Sequence, residues 1–117
     1  MIIKKCDKCG ALIKIFKDSN IVCCGEVMKE CVPNTFDAAF EKHIPEYEKI
    51  EDNIIVRVNH VMEDDHFIEW IACSAGNHEE IVYFKPTEEA VATFKYVSGA
   101  TIYAYCNKHA LWSKIVE

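Results

Sequence analysis

Over most of its length the chain alternates apolar and polar residues instead of repeating them at helical spacing. Ile54, Val56, Val58 and His60 fall on one face of an extended segment, and Ile55, Arg57 and Asn59 on the other. That period of two belongs to a strand with one buried side. Further strands are predicted from Phe67 to Ala72, Glu80 to Phe84, Val91 to Val97 and Thr101 to Tyr105, with turn signals at Ser74-Ala75-Gly76-Asn77, Lys85-Pro86 and Ser98-Gly99. Short strands so spaced predict an antiparallel β-sandwich over residues 37–117.

Residues 1–36 follow another pattern. Cys6-Asp7-Lys8-Cys9-Gly10 precedes a short apolar stretch, Leu12 to Phe16, a turn at Lys17-Asp18-Ser19-Asn20, and then Val22-Cys23-Cys24-Gly25. A segment this small cannot bury a core of its own and needs a metal or disulfides. Val32-Pro33-Asn34-Thr35 reads as a linker, with Asn34 or Thr35 expected to cap a helical turn through Phe40.

Composition narrows the class. Half of the 117 residues are hydrophobic, enough for a real core in the second segment. A formal charge of -6 without a Lys/Arg cluster argues against nucleic acid as a partner. No apolar run approaches the roughly 18 residues of a membrane span, and the first cysteine motif arrives before a signal-peptide core can form. The expectation is a soluble, cytoplasmic protein with no membrane partner, in which seven cysteines serve as metal ligands or free thiols.

Cys6-x-x-Cys9 can direct two thiolates at one ion from a single turn, with Gly10 letting the backbone fold back. Cys23 and Cys24 are adjacent, so both can reach the same ion only at a bend, which Gly25 makes available. Four thiolates suit zinc or a single iron, and the spacing does not separate them. A redox dithiol is the other reading of the first pair.

Four of the five histidines lie where they can converge: His43 before Ile44-Pro45, His60 and His66 on either side of a short connection, and His109 three residues after Cys106. A thiolate and an imidazole in Cys106-x-x-His109 can hold one ion from the turn after a strand. His78, beside Glu79 and Glu80, reads as an ordinary surface histidine.

The run Thr35-x-Asp37-Ala38-Ala39-x-Glu41-Lys42-His43-Ile44-Pro45, the segment His60-x-Met62-Glu63-x-x-His66-x-Ile68-Glu69-Trp70-Ile71 and the ending Tyr105-Cys106-Asn107-x-His109-x-x-Trp112 resemble desulfoferrodoxin, the two-iron form of superoxide reductase. Cys6-x-x-Cys9 and Cys23-Cys24-Gly25-Glu26-x-Met28 resemble that family's desulforedoxin-type domain. The likeness spans essentially the whole chain. It implies an all-β fold, a small rubredoxin- or desulforedoxin-like knuckle followed by an immunoglobulin-like sandwich.

The resemblance further implies two Fe ions per chain. Cys6, Cys9, Cys23 and Cys24 would hold the first, with zinc the alternative there; His43, His60, His66, His109 and Cys106 would hold the second, with one position open to superoxide. Lys42 is implied to draw the anion in and to organise a proton-delivering water, and Glu41 to fill the open position after turnover. The implied reaction is one-electron reduction of superoxide to hydrogen peroxide, with rubredoxin or a similar small carrier as donor and a homodimer as the assembly. The family often carries prolines around its second histidine, whereas Asn59-His60-Val61 has none, so a differently shaped loop is expected. Cys31 and Cys73 lie outside both ligand sets and read as free thiols or small hydrophobes, although Cys31 is near enough in sequence to substitute at the first site. The competing classes are a coordinatively saturated electron-transfer or iron-storage protein, and a zinc knuckle joined to an immunoglobulin-like interaction domain.

Overall fold

The computed structural model describes all residues from Met1 to Glu117, and its regular structure is almost entirely antiparallel strand. It divides into two compact units, Met1–Val32 and Pro33–Glu117. No helix is long and apolar enough to cross a membrane.

In the first unit β1 (Ile2–Lys5) pairs with β2 (Leu12–Ile15) on one side and β5 (Lys29–Glu30) on the other, while β3 (Val22–Cys23) and β4 (Glu26–Val27) form a separate hairpin. The β1–β2 turn is closed by the Cys6 N–H donating to the Ala11 carbonyl and the Gly10 N–H donating to the Cys6 carbonyl, both at 2.9 Å. Gly10 has φ +78°, a conformation that strains any residue with a Cβ. Only Ile3, Cys6 and Met28 supply buried apolar side chains, and Phe16 is exposed. So small a core leaves stability to be supplied by something other than burial.

The second unit is a sandwich of two sheets. One has the order β10 (Val91–Lys95), β7 (Asn53–Arg57), β6 (Glu46–Ile50); the other has β12 (Ala110–Ile115), β11 (Thr101–Cys106), β8 (Ile68–Ala75), β9 (His78–Tyr83). Ile54 and Val56 from β7, Ala92 and Phe94 from β10, Ile68, Ile71 and Cys73 from β8, and Ile102 and Ala104 from β11 form one core between them. The alternation that predicted strands is therefore the inward face of each sheet.

The β8–β11 ladder slips at one point. Tyr105 lies opposite Trp70, but Cys106 lies opposite Ile68, so Glu69 is the extra residue. Such a bulge re-aims the side chains that follow it. Here it places Ile68 and Cys106 together in the core cluster.

Four features differ from the sequence reading. Strand β6 was hidden because Glu-Tyr-Glu-Lys-Ile offers only Tyr47 to the core, and β12 because the consecutive Leu111 and Trp112 are both buried and break the alternation. Strand β7 stops at Arg57, so His60 lies beyond it. The predicted helical turn is a single 3-10 turn, Phe40–Lys42, whose N-cap is Ala39 without a side-chain cap. Asn34 acts elsewhere: its Nδ2 donates to the Ser113 carbonyl at 3.2 Å and its Oδ1 accepts the Ser113 N–H at 2.9 Å, fastening the segment before the turn to β12.

Candidate metal centres

The first centre forms where two turns face each other. Cys23 pairs with Glu26, which leaves Cys24 and Gly25 as a two-residue hairpin loop with φ +53° and +78°. Positive φ at both positions is the signature of a type I′ turn. It resolves the problem posed by adjacent cysteines, since the left-handed Cys24 no longer points away from Cys23. The Cys9 and Cys23 sulfurs are 3.6 Å apart and those of Cys23 and Cys24 3.9 Å. A tetrahedron with metal–sulfur bonds of about 2.3 Å has edges of about 3.8 Å, so the spacing fits one ion.

The protonation preferences agree. The Cys9 N–H directed at its sulfur lowers Cys6 to about 7, whereas the hydrogen bond with the Cys9 thiol pushes Cys23 up to about 12 and raises Cys24 as well. Several thiolates this close repel one another, and a cation removes that penalty. Cys31 is outside the four-sulfur group; its backbone N–H donates to the Ile3 carbonyl at 2.8 Å, as part of the small sheet.

The second centre lies at one end of the sandwich. His43 precedes β6, His60 follows β7, His66 precedes β8, and Cys106 and His109 flank the β11–β12 turn. Their donor atoms all fall within 4.8 Å of one another. His43 Nε2 is 2.8 Å from His109 Nδ1, and the Cys106 sulfur is 3.5 Å from His60 Nε2 and 3.8 Å from His109 Nδ1.

The other ring nitrogens assign the donors. His43 Nδ1 donates to the Ala39 carbonyl and His60 Nδ1 to the Val61 carbonyl, each at 2.6 Å, leaving Nε2 of both rings aimed inward as an acceptor. His66 Nε2 is buried with no hydrogen-bond partner, an arrangement that costs free energy unless a cation occupies the space before it. Burial lowers the pKa of all four histidines and raises that of Cys106. The imidazoles are thus held neutral, the form that binds metal.

An open cavity of about 760 Å³ reaches the four imidazoles, and Lys42, Asp37, Val61 and Glu63 line it as well. Glu41 is on the same 3-10 turn, exposed, and not among the lining residues. Lys42 and Glu41, adjacent in sequence, therefore relate differently to the cavity. Glu63 enters the sequence reading only as part of the resemblance motif, with no role assigned, and is one of three acidic residues between His60 and His66. His78 is exposed and paired with Glu80 at 3.1 Å, and Cys73 is buried in the core.

Comparison with known proteins agrees with this geometry. The family profile described as desulfoferrodoxin matches residues 35–115. The chain is 38% identical to the desulfoferrodoxin of Syntrophotalea carbinolica over 95% of its own length and 93% of the relative's. The chain belongs to the desulfoferrodoxin family.

A second desulfoferrodoxin, from Clostridium acetobutylicum, is 42% identical over 80% of this chain and 78% of the relative. Among solved structures, the superoxide reductase of Treponema pallidum superimposes with a TM-score of 0.74 at 25% identity, covering 96% of this chain and 98% of that one. Desulfoferrodoxin membership implies iron, and the two donor groups give the chain two places for a metal. An unpartnered buried imidazole nitrogen and four sulfurs at tetrahedral spacing both fit such occupancy.

Proposed function

We propose that the chain is a superoxide reductase, carrying out the reaction in which one superoxide, one electron and two protons give one hydrogen peroxide. The observation that carries this reading is the open cavity ending on four neutral imidazoles, with the buried Cys106 sulfur clustered among them and Lys42 on the cavity wall. Iron bound by His43, His60, His66, His109 and Cys106 supplies the electron. A closed site would suit electron transfer alone; a cavity of this size leaves room for a small anion to arrive.

The residues divide the remaining work. Lys42 places a positive charge on the path of superoxide in a chain whose net charge repels it. Cys106, once deprotonated, contributes an electron-rich donor that favours electron release, as thiolates do in haem enzymes. Neutral imidazoles add no negative charge and keep the site attractive to an anion. Glu41, on the same turn, does not line the cavity.

In the same reading Cys6, Cys9, Cys23 and Cys24 hold a second iron, or zinc, in a knuckle domain, and a small carrier such as rubredoxin returns the electron. A homodimer in the cytoplasm is the assembly and place proposed. The decisive experiment reduces the iron-loaded protein without oxygen and mixes it with a pulse of superoxide. Oxidation of the histidine-site iron near the diffusion limit, with peroxide as product, is expected. Iron that oxidises slowly returns the chain to the electron-transfer class.

A further inference from the structure

Three of the five donors of the second centre are oriented by their own segments. The rings of His43 and His60 donate to carbonyls within four residues, and Cys106 closes strand β11. The His66 ring makes no such hydrogen bond and meets the rings of His60 and His109 edge-on at 4.6 and 4.9 Å. With no hydrogen bond to orient the ring, its placement depends on its backbone as well as on those two rings.

The His66 N–H and carbonyl themselves bond the carbonyl and N–H of Glu63, at 3.3 and 3.0 Å, and the residues on either side of His66 are held by Asn107. The Asn107 Oδ1 accepts the Phe67 N–H at 3.0 Å, its Nδ2 donates to the Asp65 carbonyl at 2.9 Å, and its own N–H donates to the Phe67 carbonyl at 3.3 Å. The partners are the residues on either side of His66. An amide side chain suits the task because it carries an acceptor and a donor on one rigid plane. The regular ladder between β8 and β11 slips one step earlier, at Cys106. Past that slip the Asn107 side chain adds two bonds to the single one its backbone N–H still makes.

We propose that Asn107 is a positioning residue that sets the placement of His66 relative to Cys106, and thereby the affinity and ligand field of the histidine–cysteine metal centre. This rests on the proposed assignment of those residues as ligands, but not on any reaction there. A mere loop staple would change stability and leave the bound metal's spectrum alone.

The test loads wild type, Asn107→Ala and Asn107→Asp with iron. It records the thiolate-to-iron absorption of the oxidised protein, the midpoint potential of the site, and iron retention against a chelator. Asn107→Ala loses both side-chain bonds and is expected to bind iron at the second centre at least about 10-fold more weakly, with its absorption band and potential displaced and the band of the first centre unchanged. Asn107→Asp keeps the acceptor for Phe67 but turns an oxygen toward the Asp65 carbonyl, and should fall between the other two. It carries the test if the alanine variant does not fold. Wild-type retention, band and potential in a folded variant overturn the proposal. Wild-type protein that binds iron at the second centre yet reacts slowly with superoxide would refute the reductase reading and leave this inference intact.

Discussion

The rings of His43 and Trp112 lie 4.9 Å apart at an interplanar angle of 25°, and the Trp112 indole N–H donates to the carbonyl of His109 at 2.9 Å. One fully buried side chain therefore supports two of the four clustered histidines, one by stacking and one through its backbone. Trp112→Phe keeps most of the stacking surface and leaves the His109 carbonyl without its donor. It should cost about 1–3 kcal/mol in the urea unfolding of the metal-free protein. A change within a few tenths of a kcal/mol would show that water replaces the indole.

Cys106→Ser should abolish the thiolate-to-iron absorption of the second centre and leave that of the first intact, because only the Cys106 sulfur lies among the four imidazoles. Visible spectra of the oxidised variant decide this. Loss of both bands would contradict two independent centres.

Lys42→Ala removes the cation on the cavity wall. The second-order rate of superoxide capture should fall, and its dependence on ionic strength should flatten, since screening acts on the attraction that Lys42 provides. An unchanged rate and salt slope, measured by pulse radiolysis, would make Lys42 a bystander. The same change at Glu41 should have the smaller effect on capture, because Glu41 does not line the cavity.

Acid should destabilise the metal-free protein through its histidines. Burial lowers the folded-state pKa of His43, His60, His66 and His109, while the unfolded chain titrates at about 6.5. Below that pH the unfolded state binds more protons. The stability these residues contribute is therefore fully present above about pH 6.5 and is lost as pH falls through the lowered folded values. Urea midpoints between pH 8 and about pH 5 test this, and His60→Gln should shallow the slope. A midpoint that rises toward acid would reverse the sign and refute the prediction.

How much of this was legible depends on what kind of physics encodes it. The alternation of Ile54, Val56 and Val58 reveals a strand because its face is buried on one side only. Strand β12 hides because Leu111 and Trp112 face opposite ways yet are both buried. The ligand candidates stood out through residue type and spacing in a motif of known resemblance. Their orientation did not: the Nδ1 bonds of His43 and His60 run to backbone carbonyls, which every residue possesses and no sequence advertises. The positive φ of Cys24 is a similar case, foreshadowed by Gly25 but fixed only by the pairing of Cys23 with Glu26. The placement of Lys42 on the cavity wall and of Glu41 away from it depends on a 3-10 turn whose cap, Ala39, carries no signal at all.

Every donor of the second centre hangs from one end of the sandwich, beside the start of β6, the end of β7, the start of β8 and the β11–β12 turn. The reversals at Glu51-Asp52, Gly76-Asn77 and Ser98-Gly99 belong to the opposite end, where strands β6 and β7, β8 and β9, and β10 and β11 are joined. Three chain reversals thus lie at the pole away from the clustered histidines. These distal turns are the natural places to graft a fluorophore, a tether or a foreign loop, leaving the metal pole untouched.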